Sequence, residues 1–113
     1  MPSALLIVDD ERDSRVMQWV LQEAGIEVSV ARGREETFSL VIDRTPDVII
    51  LNGGINREKR LTARLLRDFA PRSKIIALHP AAAGRRGAAI EADAHLYAPL
   101  HADDLIVTIE SLV

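Results

Sequence analysis

The stretch ALLIVDDE, residues 4–11, runs through five consecutive apolar side chains and stops at three acids. An unbroken apolar run of this length, without alternation, is what a parallel strand needs when helices cover both of its faces. Acids directly after it suit the first turn of a helix, where they meet the positive end of the helix dipole. The same alternation of strand and helix signals continues along the chain. From Arg12 to Ala24, the residues Val16, Met17, Val20, Leu21 and Ala24 recur at helical spacing, and Gly25 stands where a helix-ending glycine belongs. Ile26, Val28 and Val30 alternate with polar residues, giving a second strand with one less buried face. Gly33 opens a helix through Asp43 with Phe38, Val41 and Ile42 expected toward the core, and Thr45-Pro46 ends it.

DVIIL, residues 47–51, is the third strand, apolar throughout and therefore central. The loop Asn52-Gly53-Gly54-Ile55-Asn56 follows, then a helix whose apolar face is expected at Leu61, Leu65 and Phe69, ended by Pro71. KIIAL, residues 74–78, is the fourth strand. A weak helix is expected over residues 81–92, interrupted by Gly84 and Gly87, each costing up to about 1 kcal/mol relative to alanine. Ala94 to Tyr97 is a short fifth strand, and the last helix, over residues 102–112, points Leu105, Ile106, Ile109 and Leu112 inward. Five strands alternating with five helices predict one doubly wound parallel α/β sheet with right-handed crossovers. Ligands of such sheets bind beyond the carboxyl ends of the strands, which singles out Asp9, Asp10, Asn52, His79 and Ala98.

The bulk properties agree. At 113 residues the chain is one domain, 1–113, either whole or the N-terminal part of a longer protein. A net charge of −3 argues against direct nucleic-acid binding, which normally requires a basic excess. With no cysteine there is no disulfide or thiolate metal site, in keeping with a cytoplasmic protein. No apolar run approaches the roughly 18 residues of a membrane span, and the short N-terminal run followed by acids is not a signal peptide.

LLIVDDE, PDVIIL, KIIAL and LYAPL together resemble the receiver domain of two-component response regulators over essentially the whole length. The resemblance implies a flavodoxin-like (βα)5 fold with strand order 2-1-3-4-5. It also implies a pocket in which Asp9 and Asp10 match the two acids that hold magnesium. Asn52 falls where the family has its phosphoacceptor aspartate, His79 where it has a serine or threonine, and Ala98 where it has a lysine before the retained Pro99. His95 matches the family's aromatic switch position. Three of the five pocket positions thus depart from the pattern, which makes the chain similar to a degenerate pseudo-receiver.

The departures bear on chemistry. An aspartyl phosphate needs a carboxylate nucleophile and positive charge to absorb what develops during transfer. The Asn52 amide is uncharged and its nitrogen lone pair is delocalised, Ala98 removes the cation, and His79 exchanges a hydroxyl for a ring. The expected function is a phosphorylation-independent regulatory or interaction module of a signalling protein, not an enzyme, with no cofactor required. Two alternatives stay open: a phosphoacceptor with an atypical site, and a small-molecule sensor using the vacated pocket.

Charge raises a further question. Two carboxylates about 4 Å apart repel by about 4 kcal/mol at an effective dielectric near 20, so Asp9 and Asp10 need a positive neighbour, and His79 is expected to supply it with a raised pKa. A weak magnesium site formed by Asp9, Asp10 and Asn52 is weighed against acids that simply cap the first helix and stay solvated. Arg57, Arg60, Arg64 and Arg67 fall at helical spacing as either a basic docking stripe or a solvated face. Trp19 reads as packing or a half-exposed anchor. Partner contacts are expected through the surface of the 81–92 helix, the fifth strand and the last helix, where His95, Tyr97, Arg85, Arg86, Asp103 and Asp104 would meet a protein partner, an attached output domain or a second copy.

Overall fold

Strand β1 (Ser3–Val8) lies between β2 (Glu27–Arg32) and β3 (Val48–Leu51), hydrogen-bonded in parallel to both, so that Leu6 stands opposite Val30 on one side and Ile50 on the other. Beyond β3 follow β4 (Lys74–His79) and β5 (Ala94–Tyr97), completing a parallel sheet in the order β2-β1-β3-β4-β5. The computed structural model describes residues 1–9, 11–52, 56–80 and 90–113, without the side chains of Glu11 and Asp13. Among these residues there are four helices: α1 (Glu11–Glu23), α2 (Gly33–Asp43), α3 (Arg57–Phe69) and α4 (Ala102–Leu112). None of them is long and apolar enough to cross a membrane.

The period of two along each strand explains why the strand sequences do not alternate. Leu5, Ile7, Ile49, Leu51, Ile75 and Ala77 point to one face, where they pack with Val41 of α2 and Ala63 and Leu66 of α3. Ala4, Leu6, Val8, Val48, Ile50, Ile76 and Leu78 point to the other, against Leu21 of α1 and Leu105 and Ile109 of α4. Both faces are covered, so the inner strands are apolar at every position except their ends, Ser3 on β1 and Lys74 and His79 on β4. Only β2, at the sheet edge, keeps the alternating pattern of exposure that Val28 and Val30 foretold.

At the end of α1, Gly25 adopts φ +81°, its N–H donates to the Gln22 carbonyl, and the Ile26 N–H donates to the Leu21 carbonyl. This is the left-handed helix ending for which glycine alone carries no Cβ penalty. The Ala98–Pro99 peptide is cis.

Four sequence expectations are corrected. On α3 the buried line is Lys59, Thr62, Ala63 and Leu66, while Leu61, Leu65 and Phe69 are exposed. The helix sits rotated so that small Ala63 and Leu66 face the sheet, in one cluster with Leu51 and Ile75. On α2, Thr37 and Val41 are buried and Ile42 is exposed; on α1, Val16 faces outward, beside Trp19, whose exposure agrees with the anchor among its two readings. Residues 90–92, expected to end a helix, are not helical, and Ile90 is buried in the core. The rest of that expected helix, with Gly84 and Gly87, lies outside the described residues.

The rotation of α3 has a measurable consequence. Leu66→Ala is expected to lose about 2–5 kcal/mol as a core truncation, whereas Leu65→Ala should stay within about 1 kcal/mol. Urea unfolding of the two variants checks this; equal losses would contradict the observed face.

Candidate functional site

The order β2-β1-β3 places the topological switch between β1 and β3, so the residues following those strands meet at one edge of the sheet. Asp9 follows β1. Asn52 follows β3 and extends the ladder by donating its N–H to the Ile7 carbonyl at 3.0 Å. Helix α3 begins close by. The Asn56 side chain caps it, accepting from the Lys59 N–H at 2.8 Å, which satisfies one of the free donors of the first turn.

That cap fixes where Lys59 points. Its ammonium donates to Asp9 Oδ2 at 2.7 Å and to the main-chain carbonyl of Asn52 at 2.7 Å. Lys59 is only 6% exposed, although the Asp9 carboxylate remains 62% exposed. An ammonium removed from water is costly unless oxygen acceptors replace its hydration, and these two do so. One side chain therefore ties the ends of β1 and β3 to the start of α3. Sequence reasoning passed over this lysine because it placed Leu61, Leu65 and Phe69 inward. A face drawn through Ala63 and Leu66 brings Lys59 inward four and seven residues earlier.

His79 ends β4 away from this ion pair. Its Nε2 lies 2.9 Å from His95 Nδ1, with the two rings tilted by only 16°, and its ring lies 4.7 Å from that of Tyr97 at 22°. The register that pairs His79 with Tyr97 across β4 and β5 brings these rings together. His79 is 3% exposed and its Nδ1 has no hydrogen-bond partner. Burial, and secondarily His95, hold its pKa below the ordinary 6.5. This overturns the expectation of a raised pKa: the positive charge beside Asp9 comes from Lys59, and an imidazole short of partners stays neutral.

Asn52, His79 and Ala98 do converge, lining a cleft of about 310 Å³ with Leu78, Pro80, Leu96 and Leu100. The Ala98 N–H donates to the His79 carbonyl at 2.9 Å. Asp10 lies outside the described residues. Among the described residues, no group of three or more His, Cys, Asp or Glu side chains is placed to hold a metal ion.

Of the expected partner surface, Tyr97 is 43% exposed, while His95 is half-buried with its Nδ1 against His79. Asp103 and Asp104 are exposed in the first turn of α4, where acids are favoured by the helix dipole in any case. Arg85 and Arg86 lie outside the described residues. Along α3, Arg57, Arg60 and Arg64 are exposed, whereas Arg67 reaches Asp93 Oδ2 at 3.1 Å, not its helix neighbours.

Comparison with solved structures places this geometry in a known fold. The response regulator TrrA of Thermotoga maritima, solved in complex with Mg²⁺-BeF, matches at 22% identity with a TM-score of 0.84, covering 100% of both chains. A putative response regulator of Chloroflexus aurantiacus matches at 24% identity and TM-score 0.82, covering 99% of this chain and 98% of its own. NtrX of Brucella abortus matches at 21% and TM-score 0.81; 99% of this chain corresponds to 26% of that one, so there the fold is one part of a longer chain. No family model matches the sequence, and no curated protein matches it. The chain has the receiver fold.

Two tests follow from the site. Asp9→Asn strands a buried ammonium between neutral acceptors, whereas Lys59→Met removes the desolvated charge and leaves a carboxylate already largely in water. With allowance for the exposure of Asp9, Asp9→Asn should cost about 1–2 kcal/mol and Lys59→Met under about 1 kcal/mol; denaturant midpoints that reverse this order would contradict the pairing. For His79, the unfolded chain takes up a proton near pH 6.5 while the folded ring resists it. Its contribution to stability is therefore complete above that pH and declines as pH falls toward the lower folded value. The His79 titration followed by NMR should have its midpoint below 6.5, and His79→Phe should flatten the acid-side loss of stability.

Proposed function

We propose that this chain is a pseudo-receiver: a regulatory or interaction module that works through protein contacts without being phosphorylated, requires no cofactor and catalyses no reaction. The observation that carries this reading is Asn52 at the carboxyl end of β3, an amide whose main-chain carbonyl is engaged by Lys59. An amide cannot take up a phosphoryl group as a carboxylate does. Asp47, the other acid bordering β3, directly precedes that strand and accepts from the Ser3 N–H at 2.8 Å, so it belongs to the opposite edge of the sheet. At the remaining pocket positions a methyl and a buried neutral imidazole offer no charge to a transferring group.

The output then depends on what the domain touches. The receiver fold within the longer NtrX chain supports an attached output domain as one arrangement. The β5–α4 side, with exposed Tyr97, Asp103 and Asp104, supports contact with a protein partner or a second copy, and the net charge of −3 supports a partner other than nucleic acid.

Incubation with acetyl phosphate and MgCl₂, followed by intact-mass measurement, tests the reading. No phosphoryl adduct is expected on the wild-type chain. A stoichiometric, acid-stable but base-labile adduct would overturn it in favour of a phosphoacceptor with an atypical site.

A further inference from the structure

The receiver fold brings with it the expectation of a divalent cation beside Asp9, and the donor set among the described residues does not fit one. A magnesium ion takes six oxygen ligands and is drawn to sites where carboxylates and carbonyls converge. At the β1–β3 switch two such oxygens do converge, Asp9 Oδ2 and the Asn52 carbonyl. The atom they share is the nitrogen of Lys59, 2.7 Å from each. The lysine is not a surface side chain that has folded over: it is 6% exposed, and the Asn56 cap holds its backbone at the start of α3. The third site a metal would draw on in this fold, the side chain at position 52, is an amide and brings no charge.

We infer that Lys59 is a tethered cation standing in for the divalent metal, so that the domain holds its switch edge in one arrangement whatever the magnesium concentration. Two consequences distinguish this from a lysine that merely neutralises an acid. The ammonium and a metal compete for the same two oxygens, so the wild-type chain is blind to magnesium. Removing the ammonium while keeping the aliphatic stem frees those oxygens, and the chain gains a magnesium site it did not have. The inference rests on the pseudo-receiver reading for the identity of the edge, but its readout is metal binding, not phosphorylation. A chain that binds magnesium yet takes up no phosphoryl group would sink this inference and spare the earlier one.

The experiment is a MgCl₂ titration of the full chain by NMR and calorimetry, with wild type, Lys59→Met and the double variant Lys59→Met/Asp9→Asn. Wild type should show no saturable binding up to tens of millimolar, and Lys59→Met should bind saturably in the millimolar range, with shifts centred on residues following β1 and β3. The double variant should lose that binding again. Saturable millimolar binding by wild type overturns the inference, as does a folded Lys59→Met chain that gains none. Were Lys59→Met to unfold, the wild-type ¹⁵Nζ ammonium signal of Lys59 decides alone: persistence in high MgCl₂ upholds the proposal, and its loss or displacement refutes it.

Discussion

A lysine ammonium buried at the open edge of a parallel sheet has to find oxygen, and in this chain the choice of oxygens organises the edge. Lys59 reaches across from the first turn of α3 to the carboxylate after β1 and the carbonyl after β3. These are the two strands between which the sheet reverses its winding. The backbone groups at such a reversal have no strand beyond them to pair with and would otherwise be left to water or a ligand. An ammonium with three donors on a flexible stem suits that position, because it bridges acceptors set at an angle to one another. The helix cap at Asn56 makes the bridge possible by starting α3 where the stem can reach, so local capping and the long-range ion pair specify the same geometry.

The two-sided burial of the sheet was legible from the residues alone. ALLIV, VIIL and KIIAL lack alternation, and strands of that kind have nowhere to go but between two layers of helices. The strand order followed from resemblance, not from the pattern. What stayed hidden were the faces of the helices, and the reason is physical. The face a helix turns to a sheet need not carry its largest apolar side chains, and on α3 small Thr62 and Ala63 are buried as well as Leu66. Counting large apolar side chains selects Leu61, Leu65 and Phe69, which remain on the surface, and Phe69 meets Phe38 of α2 edge-on at 5.4 Å between ring centroids. The error of one residue in phase moved Lys59 from the pocket to the flank. A signal was available: an asparagine followed three residues later by the lysine's own N–H fixes the start of the helix, and from there the inward positions can be counted.

The positions that differ from the receiver pattern are easier to understand together than singly. With an amide at position 52, the edge holds one carboxylate fewer than the receiver pattern, and the Lys59 ammonium pairs with Asp9 where position 98 offers no cation. With no cation at position 98 and no acid facing it from position 52, the described lining of the cleft between β4 and β5 has no fixed charge, and burial there favours a neutral histidine. That is the state His79 takes, sharing one nitrogen with His95 and lying against Tyr97. Among the described residues, the cleft side of this edge thus carries no fixed charge, and the other side holds Asp9 paired with Lys59. A switch that works by adding and removing phosphate charge needs an edge whose electrostatic balance changes between two states. The Lys59–Asp9 pair supplies a balance for Asp9 from within the chain, which supports the proposed reading of a domain that works through what binds to its outside.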